Sequence, residues 1–184
     1  MSTSGYSTQN ELLLGTLKEF YKNNDNMTKM MNIITGESKI SLRIVDWFTT
    51  NYAKKYFTVY TISNERRFKV YHDYKLKLKA YSKKRFDPFC RWDRITLPYK
   101  SDSYIETTIG QLNFFKWTIE NNVLSYIEEN YKTIETDMNN RNSSSKKNLT
   151  DKEKNKTRKT REELSISATK SIKKEDVHIT ISFN

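Results

Sequence analysis

The stretch that decides the fold is TTIGQLNFFKWTIENNVLSYIEENYKTIETDM, residues 107–138. Apolar residues recur in it every three or four positions, which is the period of an α-helix with one buried face. Those positions are Leu112, Phe115, Ile119, Val123 and Ile127, with Trp117, Leu124, Tyr131 and Ile134 widening the face. Thr108 and Gln111 have the spacing of a capping box at a helix start. The pattern predicts one long amphipathic helix over about residues 108–138, at the centre of the core.

The segments before this helix predict further helices and a small sheet. Helical spacing runs through 10–23, with Asn10 as a cap, through 27–35 up to Gly36, and through 38–56 after Ser38 or Ser41. Residues 57–63 and 68–71 alternate and are rich in β-branched and aromatic residues, which favours a hairpin. Residues 94–99 form a short strand that Pro98 confines to a sheet edge or strand end.

Residues 71–86, YHDYKLKLKAYSKKRF, fit two periods. A period of two places Tyr74, Leu76 and Leu78 on one face of a strand, whereas a period of 3.6 groups Tyr71, Tyr74 and Leu78 on a helix. The length of the run favours the helix. We expect it to end before FDPF, since the residue preceding a proline avoids the helical region.

The charge is concentrated in two basic blocks. The chain of 184 residues has a formal net charge of +11. Residues 66–100 hold twelve basic and three acidic side chains, and residues 141–174 hold twelve basic and four acidic side chains. The segment between them, 101–140, holds two basic and seven acidic side chains. Such segregation is typical of an electrostatic footprint for a polyanion.

The two blocks differ in kind. Residues 141–159 have almost no apolar side chains to offset the entropy of ordering, which predicts a disordered linker. Beyond it, residues 161–172 suit a short helix and Val177–Phe183 alternate like a strand. We expect residues 160–184 to be ordered and to add that strand to the core sheet or to a partner, although a tail disordered throughout is nearly as compatible with the sequence.

The chain shows no pattern of catalysis, metal binding or membrane insertion. His72 and His178 lie in unrelated segments, and four glycines are too few for a phosphate-cradling loop. Cys90 is the only cysteine, so it predicts neither a disulfide nor a cysteine metal cluster, and we interpret it as a small buried hydrophobe. We expect no enzyme, no cofactor, no secretory signal and no membrane span.

Lysines and arginines in the first block are interleaved with aromatic residues, which suits nucleic acid because cations meet phosphates while rings stack on unpaired bases. Most rings at helical spacing belong to a core, so Tyr81, Phe86 and Trp92 are the candidates for partial exposure. We expect a packed turn at residues 86–90 from which Lys83, Lys84, Arg85, Arg91 and Arg94 project as a basic knob. The predicted binding residues are Lys75, Lys79, Lys83, Lys84, Arg85, Arg91, Arg94, Tyr81 and Trp92.

Most of residues 40–184 resembles a family of small basic proteins of nucleocytoplasmic large DNA viruses, the giant viruses. The stretches that carry the resemblance are SLRIVDWFTTNYAKK (41–55), FKVYHDYKLKLKAYSKKRFDPFCRW (68–92), ETTIGQLNFFKWTIENNVLSYI (106–127) and RKTREELSISATKSI with ITISF (158–172, 179–183). The resemblance implies a viral protein in the cytoplasmic virus factory of the host or packaged in the virion. It implies no activity and no functional residues.

The predicted fold class is α+β, with helices packed on a small, mainly antiparallel sheet and a disordered basic tail. The predicted units are a helical segment (1–37), a globular core (38–140), a basic linker (141–159) and a C-terminal unit (160–184). The predicted function is non-catalytic binding of DNA or RNA through backbone phosphates, with little sequence preference. The alternative is a virion structural or assembly protein whose basic face binds an acidic viral protein.

Overall fold

In the computed structural model, residues 8–62, 65–99, 103–150 and 174–176 are described. Helices dominate the chain and two small antiparallel sheets accompany them, so the predicted α+β class is confirmed. The helices are α1 (Gln9–Tyr21), α2 (Asn24–Thr35), α3 (Leu42–Trp47), a π-helical turn (Phe48–Tyr52), α4 (Ala53–Lys55), α5 (Val70–Arg85), α6 (Ile109–Glu120), α7 (Val123–Glu129) and α8 (Tyr131–Thr150). The strands are β1 (Val59–Ile62), β2 (Arg66–Lys69), β3 (Arg94–Tyr99), β4 (Ser103–Thr108) and β5 (Lys174–Asp176).

The first helices begin and end at residues with recognisable caps. Thr8, and not the predicted Asn10, caps α1, because its hydroxyl accepts from the Glu11 N–H while the Glu11 carboxylate accepts from the Thr8 N–H. Gly36 ends α2 in the left-handed conformation, with φ 81°. Ser41 caps α3, which decides between the two serines that the sequence offered.

The predicted long helix is divided into α6, α7 and α8 by short turns at Asn121–Asn122 and Asn130. Asn122 has φ 53°, a left-handed conformation that asparagine tolerates better than most residues. Asn121 and Asn130 each donate a side-chain hydrogen bond to the carbonyl four residues earlier, at 2.8 and 2.9 Å. Short polar side chains of this kind compete with the helical backbone. The apolar period survives both breaks, since Leu112, Phe115, Val123, Ile127 and Ile134 are all fully buried.

The strands form one hairpin and one three-stranded sheet. β1 pairs with β2 antiparallel, with Tyr60 opposite Phe68. The second sheet has the order β3-β4-β5, which places β3 and its Pro98 at an edge, as predicted. β4 was not predicted, because its β-prone residues directly precede the cap of α6. β5 pairs with β4, Lys174 opposite Ile105, and lies just before the predicted strand Val177–Phe183, which falls outside the described residues.

One core joins the amino-terminal helices to the rest. Leu17, Met30 and Met31 are buried in the same apolar cluster as residues of α6. The Tyr21 hydroxyl donates to the Leu112 carbonyl at 2.8 Å. The amino-terminal helices and α6 therefore share one hydrophobic core.

Helix α8 extends further than the sequence predicted. The expected disordered linker began at residue 141, but the helix continues to Thr150. No glycine or proline occurs in residues 139–150, and propagating an existing helix costs little compared with starting one. The rest of the predicted linker, 151–159, and residues 160–173 lie outside the described residues.

Candidate nucleic-acid interface

The predicted basic knob is built on a bend in the chain at the end of α5. Ser82 has φ 58° and ψ 170°, which turns the last residues of the helix away from its axis. Asp87 is 3% exposed, and its carboxylate accepts from the Phe89 N–H at 3.2 Å. Phe86, Pro88, Phe89 and Cys90 are buried beside it, so the packed turn predicted for residues 86–90 is confirmed.

Most cations of the knob are held by groups of the protein itself. Arg91 makes a bidentate pair with Asp87, Nε to Oδ2 and Nη2 to Oδ1, both at 2.8 Å. Lys84 pairs with Asp93 at 2.9 Å, and Arg94 pairs with Glu106 at 3.0 Å. Arg85 donates to the side chains of Asn10 and Gln9 in α1, both at 2.6 Å. In the part of the chain that is described, Lys83 alone among the knob residues makes no such bond.

The carboxylate of Asp46 is half-buried behind the knob. Burial, together with the weaker effect of the negative charge of Asp87, raises the pKa of Asp46 to about 6, although Arg91 and Lys83 act in the opposite direction. Asp46 therefore holds its proton at a pH where an exposed aspartate is ionised.

The predicted aromatic contacts divide into two kinds. Trp92 is 44% exposed at the tip of the knob, as expected. Phe86 is 2% exposed, which overturns its expected exposure. Its ring packs against those of Phe114 and Trp117, with 5.3 and 5.6 Å between ring centres, so it is part of the core. Tyr81 is half-buried, with its ring stacked on Phe86 at 6.3 Å.

A second group of cations is exposed and makes no ion pair within the described residues. Lys75 and Lys79 are one helical turn apart on α5. On β2, Lys69 and Arg67 point to the face of the hairpin opposite to buried Phe68, because successive strand residues alternate. The group comprises Lys54, Arg67, Lys69, Lys75 and Lys79. The sequence predicted Lys75 and Lys79 as binding residues; the three others were missed, although the alternation about Phe68 carried the signal for Arg67 and Lys69.

Lys54, Lys69 and Lys75 also border a cleft, which we name the Phe57 cleft. It measures about 560 Å³, lies between the end of α4, the hairpin and the start of α5, and is lined by Ala53, Lys54, Phe57, Thr58, Val59, Lys69, Tyr71, His72 and Lys75. The Lys54 ammonium lies 5.8 Å from the centre of the Tyr71 ring. Cations therefore surround an aromatic and aliphatic surface.

Phe57 occupies a backbone position that usually takes glycine. It follows the last turn of α4 with φ 49°, and the Thr58 N–H donates to the Ala53 carbonyl at 3.2 Å. This six-to-one bond is the signature of a Schellman motif, whose left-handed residue is commonly Gly. The Phe57 side chain is 84% exposed, so packing within the described protein does not hold the ring there.

The described residues contain neither a cluster able to hold a metal ion nor a membrane-spanning helix. Among the described residues, His, Cys, Asp and Glu side chains form no group of three able to hold a metal ion. None of the helices within that same part of the chain combines the length and apolar content required to cross a bilayer.

The chain has recognisable relatives. The model of a family of unknown function, DUF7197, matches residues 5–184. An uncharacterised protein of Acanthamoeba polyphaga mimivirus, L507, is 46% identical over 117 residues, which are 59% of this chain and 45% of the relative. The match thus spans about half the length of that relative, and the expected resemblance to giant-virus proteins is confirmed. No solved structure matches.

Proposed function

The chain belongs to the DUF7197 family of unknown function, and we propose that it binds nucleic acid without catalysing a reaction. The ligand is DNA or RNA, contacted through backbone phosphates with little preference for sequence. The observation that supports this proposal is the group of five exposed cations, Lys54, Arg67, Lys69, Lys75 and Lys79, on adjoining elements. These cations have no carboxylate partner within the described residues, so a phosphate would not have to displace one.

The basic knob has a supporting role in this proposal. The pairs of Lys84 with Asp93 and of Arg94 with Glu106 are exposed and therefore weak, about 0–1 kcal/mol each. A phosphate can compete with such carboxylates. Arg91 is different, because its partner Asp87 is buried and accepts both of its bonds. We therefore assign Arg91 to the structure of the turn and not to the ligand.

A titration of labelled single- and double-stranded oligonucleotides at two salt concentrations tests the proposal. Neutralising about five phosphates of a single strand predicts that affinity falls on the order of 100-fold between 50 and 200 mM salt. The double variant Lys69→Glu/Lys75→Glu should weaken binding to all sequences alike and flatten this dependence. The matched control is Lys39→Glu/Lys132→Glu, which changes net charge equally in a groove beside Glu128 and Glu129. Binding without salt dependence, or an equal loss in both variants, would contradict the proposal.

The alternative partner is an acidic viral protein bound during assembly of the virion. The same titration includes polyglutamate of matched charge as a competitor. Polyglutamate that displaces the oligonucleotide at equal charge concentration would favour the acidic protein, since plain charge would then explain the affinity. Nucleic acid that binds more tightly than polyglutamate would favour our proposal.

We place this activity in the cytoplasm of the infected host, at the virus factory, and in the virion. Quantitative proteomics of purified particles, before and after the outer layers are removed, checks the location. A nucleic-acid-binding protein should remain with the genome-containing fraction. Recovery only with the outer layers would support the assembly role instead.

A further inference from the structure

We infer that the Phe57 cleft binds an unpaired base, stacked on the Phe57 ring, so that the preferred ligand is a single strand. The inference rests on the proposed function and goes beyond it, because phosphate contacts alone do not distinguish single strands from duplexes. It depends on three observations: the exposure of the ring, the strain of its backbone, and the cations around it.

The exposure and the strain point the same way. An 84% exposed phenylalanine gains little from burial, and a non-glycine residue held at φ 49° costs on the order of 1 kcal/mol. Glycine in the same position would avoid that cost. Folding stability therefore does not account for phenylalanine at this position, whereas contact between its ring and a ligand would.

The surroundings of the ring define the chemistry of that ligand. Lys54, Lys69 and Lys75 line the cleft with Phe57, so an anionic group beside the ring meets ammonium groups contributed by three different elements. Arg67 continues the positive charge along β2, two residues from Lys69 on the same face of the strand. A flat apolar group joined on either side to negative charges fits this arrangement, and a nucleotide within a strand has that form.

A duplex does not fit equally well. Its bases are stacked and paired, so they reach a protein ring only after extrusion, which costs a few kcal/mol. Bases of a single strand are available, and stacking on an aromatic side chain contributes about 1–3 kcal/mol per base whatever the sequence. Single-strand preference without sequence preference is therefore the expected signature.

The experiment compares Phe57→Gly with the unchanged chain on three ligands of equal charge: oligothymidylate, the same strand with abasic sugars, and a duplex. Glycine retains the left-handed backbone and removes the ring. We expect the unchanged chain to bind oligothymidylate on the order of tenfold more tightly than the abasic strand, and Phe57→Gly to lose that preference. The salt dependence and the duplex affinity should not change. Leu12→Ala, which removes another exposed apolar side chain on α1, is the control and should retain the preference.

The outcomes separate the two proposals. If the unchanged chain binds none of the ligands in a salt-dependent manner, the proposed function fails and the stacking inference fails with it. If it binds all three but Phe57→Gly still prefers thymine to abasic sugars, the stacking inference is wrong while phosphate binding stands. An equal loss on duplex and single strand would likewise overturn the inference, since it would indicate that the ring supports the surface and not a base.

Discussion

Arg91 and Asp87 are joined by two parallel hydrogen bonds of 2.8 Å, between a guanidinium at the surface and a carboxylate that is almost fully buried. The same carboxylate accepts from the Phe89 N–H, and the hydrogen bonds that Arg91 donates to Asp87 raise the pKa of Arg91. The pair therefore fixes the turn that follows α5. Arg91, which the sequence predicted as a binding residue, is therefore engaged in an ion pair within the protein.

Arg91→Lys should lower the free energy of unfolding by about 1–3 kcal/mol, because lysine retains the charge but cannot make the bidentate bond to a buried acceptor. Urea unfolding measures the change. Affinity for oligonucleotides should stay within about twofold, as the net charge is the same. Arg94→Lys is the control: its pair with Glu106 is exposed, so the loss should stay below about 0.5 kcal/mol. Equal losses in the two variants would refute the structural role of Arg91.

Gly110→Ala should destabilise the protein, whereas Gly15→Ala should stabilise it. A Cβ at Gly110 would lie 3.0 Å from the Lys84 carbonyl and 3.4 Å from the Phe86 nitrogen, where the end of α5 crosses the start of α6. Relieving that contact requires a backbone shift, at a cost of about 1–3 kcal/mol. A Cβ at Gly15, in α1, meets nothing within 4 Å, and alanine is the better helix former by about 1 kcal/mol. Thermal unfolding measures whether each substitution raises or lowers the melting temperature. A higher melting temperature for Gly110→Ala would contradict the close contact between α5 and α6.

Asp46→Asn should remove part of the pH dependence of stability. The folded-state pKa of Asp46 is about 6, above the ordinary 3.8, so the native state holds a proton that the unfolded state releases. Its contribution therefore weakens stability as pH rises from about 4 through about 6, by on the order of 3 kcal/mol, and the penalty is complete about one pH unit above the folded-state pKa. The variant should equal the parent at pH 4 and exceed it at pH 7. Parallel stability curves for the two chains across this range would show that Asp46 is not the group responsible.

Phe57→Gly should raise the free energy of unfolding by about 1 kcal/mol, because glycine adopts the left-handed conformation without strain. Phe57→Ala is the matched control, since it removes the ring but retains Cβ, and its stability should stay within about 0.5 kcal/mol of the parent. Chemical denaturation distinguishes the two. A glycine variant less stable than the parent would mean that the ring packs in solution, and the argument from strain would then fail.

The sequence predicted the helices and strands better than it predicted which of their side chains are available to a ligand. The apolar period from Leu112 to Ile134 identified the core helices, because burial imposes the same period on either side of a break. The break at Asn122 was missed because Asn121 and Asn122 fall between Ile119 and Val123, so the apolar period continues across them. The end of α8 was missed because composition alone does not show how far a helix propagates beyond a buried residue such as Met138.

The site illustrates the limit more sharply. Counting charge located the basic block but does not show which cations already have partners. Two of these partners come from elsewhere in the chain: Asn10 for Arg85 and Glu106 for Arg94. Phe57 gave no signal, since an aromatic residue at the start of a β-prone run predicts a strand. Its role depends on a backbone angle, which no residue pattern encodes unless glycine is present.

The pairing of β4 with β5 bears on how the protein is made. On the ribosome, the outer edge of β4 is synthesised long before Lys174–Asp176, its antiparallel partner. At about 5–20 residues per second, that edge waits on the order of several seconds with its backbone groups unpaired. Nascent chains on neighbouring ribosomes of one messenger would present the same edge to one another during that interval, so the yield of correctly folded protein should depend on translation speed between codons 108 and 174.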